Sequence, residues 1–276
     1  MTKSKLGMSA LISHRFRGFA ARENTLEGLK NALDFGVLNL EFDVRMAACG
    51  TPMIYHDEHA ADKNGKLQML CEHKASSYSA LGGTFAHMPS LDELLHFASA
   101  HKNLKAKLLI DIKDLGFERE IHALVCLYRL ETRTVFVSWL PEVLYRLHEF
   151  APHIPKCLSH WCMAVTPQIM TDHIVYPSKD GVISRRSETY VTGERSGWAV
   201  EDPITGDMLA LLIESGGGVC VPQVMLTRAL SDYYHGHSLF VSTFSYTDWP
   251  SINAHQSALG VDLFFIDNKR VFEDLI

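Results

Sequence analysis

Two hydrophobic periodicities alternate along this chain. Short apolar runs rich in β-branched and aromatic residues occur at Ala10–Ser13, Leu38–Val44, Leu108–Ile112, Val135–Trp139, Lys156–His160, Gly218–Pro222, Leu239–Phe244 and Val261–Asp267. Runs of this length, bounded by turn residues, predict β-strands. Between most of them lie stretches whose apolar positions have helical spacing. Asn24-Thr25-Leu26-Glu27 opens one, with Leu26, Leu29 and Leu33 on one face and Gly36 as its stop. Ser90-Leu91-Asp92-Glu93 opens another, a capping pair of Ser with Glu three residues on, and Leu91, Leu94, Leu95 and Ala98 make its buried stripe. Alternating β and α units imply parallel strands, and eight such strands predict an α/β fold of the TIM (β/α)8 barrel type.

Two stretches break the alternation. Residues 58–89, with Asn64-Gly65, Ser76-Ser77 and Gly82-Gly83, predict a small insertion after the second strand. Residues 174–203, with Lys179-Asp180-Gly181 and Arg185-Arg186-Ser187-Glu188, predict an irregular or hairpin-containing one. The expectation is a single barrel domain over residues 1–276 carrying both.

Period-2 alternation also sorts the polar residues. In Leu38–Arg45, Glu41 and Asp43 share one strand face while Leu40, Phe42 and Val44 share the other. Two acids on one face of a buried strand repel unless a cation sits between them, and hard divalent ions prefer such oxygen ligands. In the next strand Asp111 and Lys113 share a face with Leu109. Ser13-His14-Arg15 follows the first strand, and His56-Asp57 lies thirteen residues past Asp43. Working residues of such barrels sit at the C-terminal ends of the strands. Three acids, two histidines, a lysine and an arginine on one rim make a site for a metal plus an oxyanion, most simply a phosphate ester.

Composition limits the partners. The 276 residues are 47% hydrophobic and 21% charged with a formal net charge of −6, which argues against nucleic acid or an anionic membrane surface as the main partner. The six cysteines are scattered without a C-x-x-C, and Met1–Leu6 lacks the apolar stretch of a signal peptide. A cytoplasmic protein with reduced thiols and no membrane span is therefore expected. His235-Gly236-His237 is expected to be a helix-to-strand turn, and Cys157 and Trp161-Cys162 to pack around the fifth strand.

The motifs Ile12-Ser13-His14-Arg15, Glu23-Asn24-Thr25, Glu41-x-Asp43 and His56-Asp57 resemble those of the glycerophosphodiester phosphodiesterase family in order and spacing. Asn64-Gly65-Lys66, Pro89–Leu95, Asp111-Ile112-Lys113, Ser138–Glu142 and Leu259–Asp262 extend the resemblance over most of the chain outside residues 174–203. The resemblance implies a metal-dependent phosphodiesterase releasing glycerol 3-phosphate and an alcohol from a small-molecule substrate. On that pattern His14 and His56 match the general acid/base pair. Glu41, Asp43 and Asp111 match ligands of Mg²⁺ or Ca²⁺, Arg15 and Lys113 match phosphate contacts, and Glu23 supports the metal shell. Relief of repulsion predicts that Asp43→Asn costs the metal-free protein little stability.

The chain also departs from the pattern. Asp111 stands where the family usually has Glu, and an Asp there resembles the related sphingomyelinase D enzymes. Phe16-Arg17 intervenes before Gly18, predicting a bulkier first loop. The family's aromatic wall near the seventh strand is either lost or supplied by Phe244 or Tyr246. The competing readings are a phospholipase D-like enzyme acting on lysophospholipid or sphingolipid, and a barrel that binds phosphodiesters without turnover.

Overall fold

The computed structural model describes residues 6–159, 175–177, 183–185, 203–223 and 226–276. Eight parallel strands close a barrel: β1 (Leu11–His14), β2 (Asn39–Met46), β6 (Lys107–Ile112), β7 (Thr134–Ser138), β8 (Lys156–Ser159), β11 (Gly218–Pro222), β12 (Phe240–Tyr246) and β13 (Leu263–Ile266). Closure comes from β1, which pairs with β13 on one side and with β2 on the other, Ser13 opposite Leu40 and His14 opposite Glu41. The fold is the TIM barrel that the alternation predicts.

Helices coat the outside for the reasons visible in the sequence. In α1 (Leu26–Phe35) the Thr25 side chain accepts from Gly28 N, and Gly36 ends the helix at φ 95°, a conformation that favours glycine. The Ser90–Glu93 capping box is complete at the start of α3 (Leu91–Ala100), whose buried residues are Leu91, Leu94, Leu95 and Ala98. Leu40, Phe42 and Val44 join this outer core together with Ile110 and Ile112. A second apolar cluster fills the barrel interior with Ile12, Leu109, Val135, Val137, Cys157, Cys220 and Phe265. On three strands the inward face passes from apolar to polar within two residues: Ile12 to His14, Leu109 to Asp111, Phe265 to Asp267.

The insertion expected after the second strand is a small subdomain with its own elements. Strand β3 (Pro52–Ile54) runs antiparallel to β2, an element absent from the expectation. Beyond it, β4 (His59–Ala61) and β5 (Leu67–Met69) form a hairpin, followed by α2 (Tyr78–Leu81). This cap has its own core of Ala47, Met53, Ala60, Leu70, Tyr78 and Phe85. Within the second insertion, β9 (Val175–Pro177) and β10 (Ile183–Arg185) pair antiparallel. Trp161 and Cys162 lie outside the described residues. Cys157 lines the barrel interior. His235 ends the helix before β12, with its Nε2 2.9 Å from Asp262 Oδ2, a turn contact as expected. Among the described residues no helix is long and apolar enough to cross a membrane.

Candidate active site

Register brings the acids together. Glu41 pairs with Leu109 and Asp43 with Asp111 across β2 and β6, so three carboxylates face one another over the Leu109 layer. Among the described residues, Glu41, Asp43 and Asp111 are the group of three whose potential ligand atoms all lie within 4.8 Å, and all three are buried. Lys113 Nζ approaches Asp43 Oδ1 at 3.0 Å and Asp111 Oδ2 at 2.5 Å, and Arg15 Nε approaches Asp43 Oδ2 at 3.1 Å. Burial alone would push Asp43 upward, but Lys113, Arg15 and the Asn24 amide outweigh it and hold the carboxyl well below its usual range. Burial pushes Glu41 well above its own, and the charges of Asp43 and Asp111 add to the rise. The charge that the metal-free site tolerates least is therefore on Glu41. This corrects the expectation for Asp43→Asn, because Asp43 is the anion on which Arg15 and Lys113 rest.

The trio fits a hard cation. Asp111 Oδ1 is buried without a hydrogen bond, Asp43 Oδ1 has only its ion pair with Lys113, and Glu41 Oε2 accepts only the long 3.2 Å bond from Arg15 N. Oxygen-only donors with unused lone pairs suit Mg²⁺ or Ca²⁺ rather than a thiophilic metal. Asp111, shorter than Glu, still reaches the cluster.

The first loop is held in an unusual shape. Arg15, Phe16 and Asn24 have φ values of 54°, 59° and 54°, a region that costs non-glycine residues energy and persists only where packing enforces it. Phe16 does the enforcing: it is fully buried against Phe42, so the extra bulk goes into the core and not into the barrel mouth. Gly18, at φ 79°, meets Lys269 where a Cβ would sit at 2.9 Å. Asn24 Nδ2 then donates to Asp43 Oδ2 at 2.8 Å, whereas Glu23 accepts from Arg15 Nη1 (3.2 Å) and Arg17 Nε (2.5 Å). Asn24, expected first of all to cap a helix, thus joins Arg15 as a loop side chain that touches the acidic trio.

The two histidines flank this cluster. His14 Nδ1 lies 2.6 Å from Asp267 Oδ1, which leaves Nε2 facing Glu41 Oε2 at 3.9 Å. His56 Nδ1 lies 2.7 Å from Asp57 Oδ1. Burial lowers the pKa of both rings, outweighing Asp267 for His14 and Asp43 with Asp57 for His56. Asp267 was not among the expected site residues, although it closes the last strand and orients His14. Arg17 Nη1 reaches its other oxygen at 2.7 Å. Burial would raise Asp267, but the bonds to His14 and Arg17 hold it at about 2.

The two aromatic candidates separate in the structure. Tyr246 is buried on the outer side, its hydroxyl 2.8 Å from His255 Nδ1 and its ring against Phe264. Phe244 packs on Phe265 and the interior cluster. The ring beside the site is Phe265, edge-on to His14 at 5.4 Å.

Asp267 carries a measurable signature. Its carboxyl drops from 3.8 to about 2 on folding, so it stabilises the fold above pH about 4, and that contribution disappears as pH falls toward about 2. Asp267→Asn is expected to cost about 2 kcal/mol at neutral pH and to flatten the loss of stability over that acid window. Urea denaturation of both proteins between pH 7 and about 2 measures this.

A comparison with protein families matches the Glycerophosphoryl diester phosphodiesterase family over residues 7–160. Glycerophosphodiester phosphodiesterase 1 of Bos taurus is 26% identical over 171 residues, 56% of this chain and 50% of that protein; the Homo sapiens protein gives the same values. The chain thus spans about half the length of the curated relatives it matches. Among solved structures, a glycerophosphodiester phosphodiesterase from Parabacteroides distasonis superposes with TM-score 0.66 at 16% identity, covering 96% of each chain. An Oleispira antarctica phosphodiesterase in complex with the product sn-glycerol-3-phosphate gives 0.63 at 18%, covering 96% of this chain and 95% of that one. The structural likenesses bear on the fold, and the family match covers more than half of the sequence, including every candidate site residue but Asp267. The chain belongs to the glycerophosphoryl diester phosphodiesterase family.

Proposed function

We propose that this protein hydrolyses glycerophosphodiesters to glycerol 3-phosphate and an alcohol, with Glu41, Asp43 and Asp111 holding Mg²⁺ or Ca²⁺. The observation that carries the reading is the buried carboxylate trio flanked by two cations and two histidines at the C-terminal end of the barrel. Three carboxylates against Arg15 and Lys113 leave one negative charge, and a divalent ion turns that into one positive charge, matched to a phosphodiester monoanion. Bound there, the ion would polarise the phosphoryl group as a Lewis acid. Arg15 and Lys113, which rest on Asp43 and Asp111 here, would be the cations for the phosphate oxygens once an ion held the carboxylates.

His14 and His56 carry the protons. One ring takes the proton of the substrate's glycerol hydroxyl as that oxygen attacks phosphorus; the other gives a proton to the departing alkoxide as its P–O bond breaks. The cyclic phosphate is then opened by water, with the two rings exchanging roles. Asp267 fixes the tautomer of His14 so that Nε2 faces the site. An attacking group supplied by the substrate agrees with a rim on which, among the described residues, no serine or cysteine side chain bonds to His14 or His56. Burial, which lowers the pKa of each ring, suits the histidine that begins as the base.

The test is glycerophosphocholine against its 2-deoxy analogue. The analogue is expected to bind, because its phosphate still meets Arg15 and Lys113, and to turn over at least about a thousandfold more slowly. Equal rates would replace the cyclic route with direct attack by water, and no release of glycerol 3-phosphate from any glycerophosphodiester would end the reading.

A further inference from the structure

A cavity of about 650 Å³ lies between the first loop and the cap, lined among others by Arg17, Arg22, Glu23, Tyr55, His87 and Met88. Its inner wall belongs to the site already described. Asn24, also in the lining, donates to Asp43, Glu23 holds Arg15, and Arg17 reaches Asp267. A phosphate seated on Arg15 and Lys113 would therefore have one ester arm directed at this space.

Chemistry says which arm. The arm carrying the attacking hydroxyl must fold back on phosphorus to close a five-membered ring, so it stays in the barrel mouth beside the histidines. The other arm, the head group that leaves, is free to extend. The volume is ample for a head group, within the range of about 300–1,000 Å³ usual for small-molecule pockets.

The lining also sorts head groups by charge. Glu23 is the one acid in it, and both of its oxygens are engaged, Oε1 by Arg15 and Oε2 by Arg17. Arg22 is exposed and its guanidinium makes no ion pair among the described residues, while His87 adds a polar ring from the cap wall. Tyr55 is the one aromatic side chain in the lining, fewer than the cage by which proteins hold quaternary ammonium groups. We propose that this cavity is a head-group pocket selecting glycerophosphodiesters whose leaving alcohol bears a carboxylate, with Arg22 as the specificity-determining residue. The proposal rests on the phosphodiesterase reading for its substrate class.

Binding and turnover separate the two. In the His14→Ala background, where turnover is slowed, calorimetry with glycerophosphoserine and glycerophosphocholine is expected to give about five- to tenfold tighter binding of the serine ester. Arg22→Glu in that background is expected to reverse the order, weakening the serine ester and tightening the choline ester. With the wild-type enzyme the same preference should appear in kcat/KM, chiefly through KM. Equal affinities, a choline preference, or an Arg22→Glu change that moves both ligands alike would overturn the pocket assignment even if turnover is normal. Selective binding without release of glycerol 3-phosphate would uphold the pocket and overturn the hydrolase reading instead.

Discussion

Replacing His14 with alanine is expected to lower kcat by about two to four orders of magnitude in a folded protein. The ring is the side chain that Asp267 orients, at 2.6 Å, with its second nitrogen turned toward the carboxylates. Its loss removes proton transfer from both halves of the reaction. Folding should survive, because Asp267 keeps its ion pair with Arg17 and the loop is anchored by Phe16 in the core. His235→Ala is the matched control: that ring meets Asp262 on the far side of a helix, partly exposed, and its removal should leave kcat near wild type. A folded His14→Ala protein with wild-type kcat would exclude the proposed proton transfer.

Stripping divalent ions with EDTA is expected to abolish turnover, with recovery on adding back Mg²⁺ or Ca²⁺. The carboxylate variants should then divide in a way that repulsion among three acids does not predict. Both Asp43→Asn and Glu41→Gln should cut activity by at least about a hundredfold. In the metal-free protein, however, Asp43→Asn takes one anion from Lys113, which keeps Asp111, and from Arg15, which keeps Glu23, and should cost about 1.5–3 kcal/mol, the usual scale for losing a charged hydrogen bond. Glu41→Gln removes a charge that burial and its neighbours already disfavour, and should leave the melting temperature nearly unchanged. Thermal denaturation in EDTA, with calorimetry of ion binding, reads both effects. Full activity after chelation would exclude the metal assignment, and equal destabilisation by the two variants would exclude the charge distribution described above.

Some of this protein was legible because the signal is local. Period-2 alternation put Glu41 and Asp43 on one face and Leu40, Phe42 and Val44 on the other, and a buried parallel strand obeys that geometry whatever its neighbours. The helix limits at Thr25, Gly36 and Ser90 followed from capping chemistry confined to a few residues. Eight strands with helices between them left few topologies besides a closed barrel. What the tertiary structure decided depends on contacts distant in sequence. Asp267 meets His14 across 253 residues, a proximity created when β13 pairs with β1 at barrel closure and carried by no spacing in the chain. Phe16 read as bulk in the loop because a lone aromatic between two arginines has no period; its partner Phe42 lies on the next strand. Strand β3 was missed because Pro52–Ile54 is too short for alternation, and its pairing with β2 supplies what the local pattern lacks. Which carboxylate bears the unwelcome charge was likewise a tertiary matter. Glu41 and Asp43 are equivalent by alternation, and only the placement of Lys113, Arg15 and Asn24 around Asp43 tells them apart.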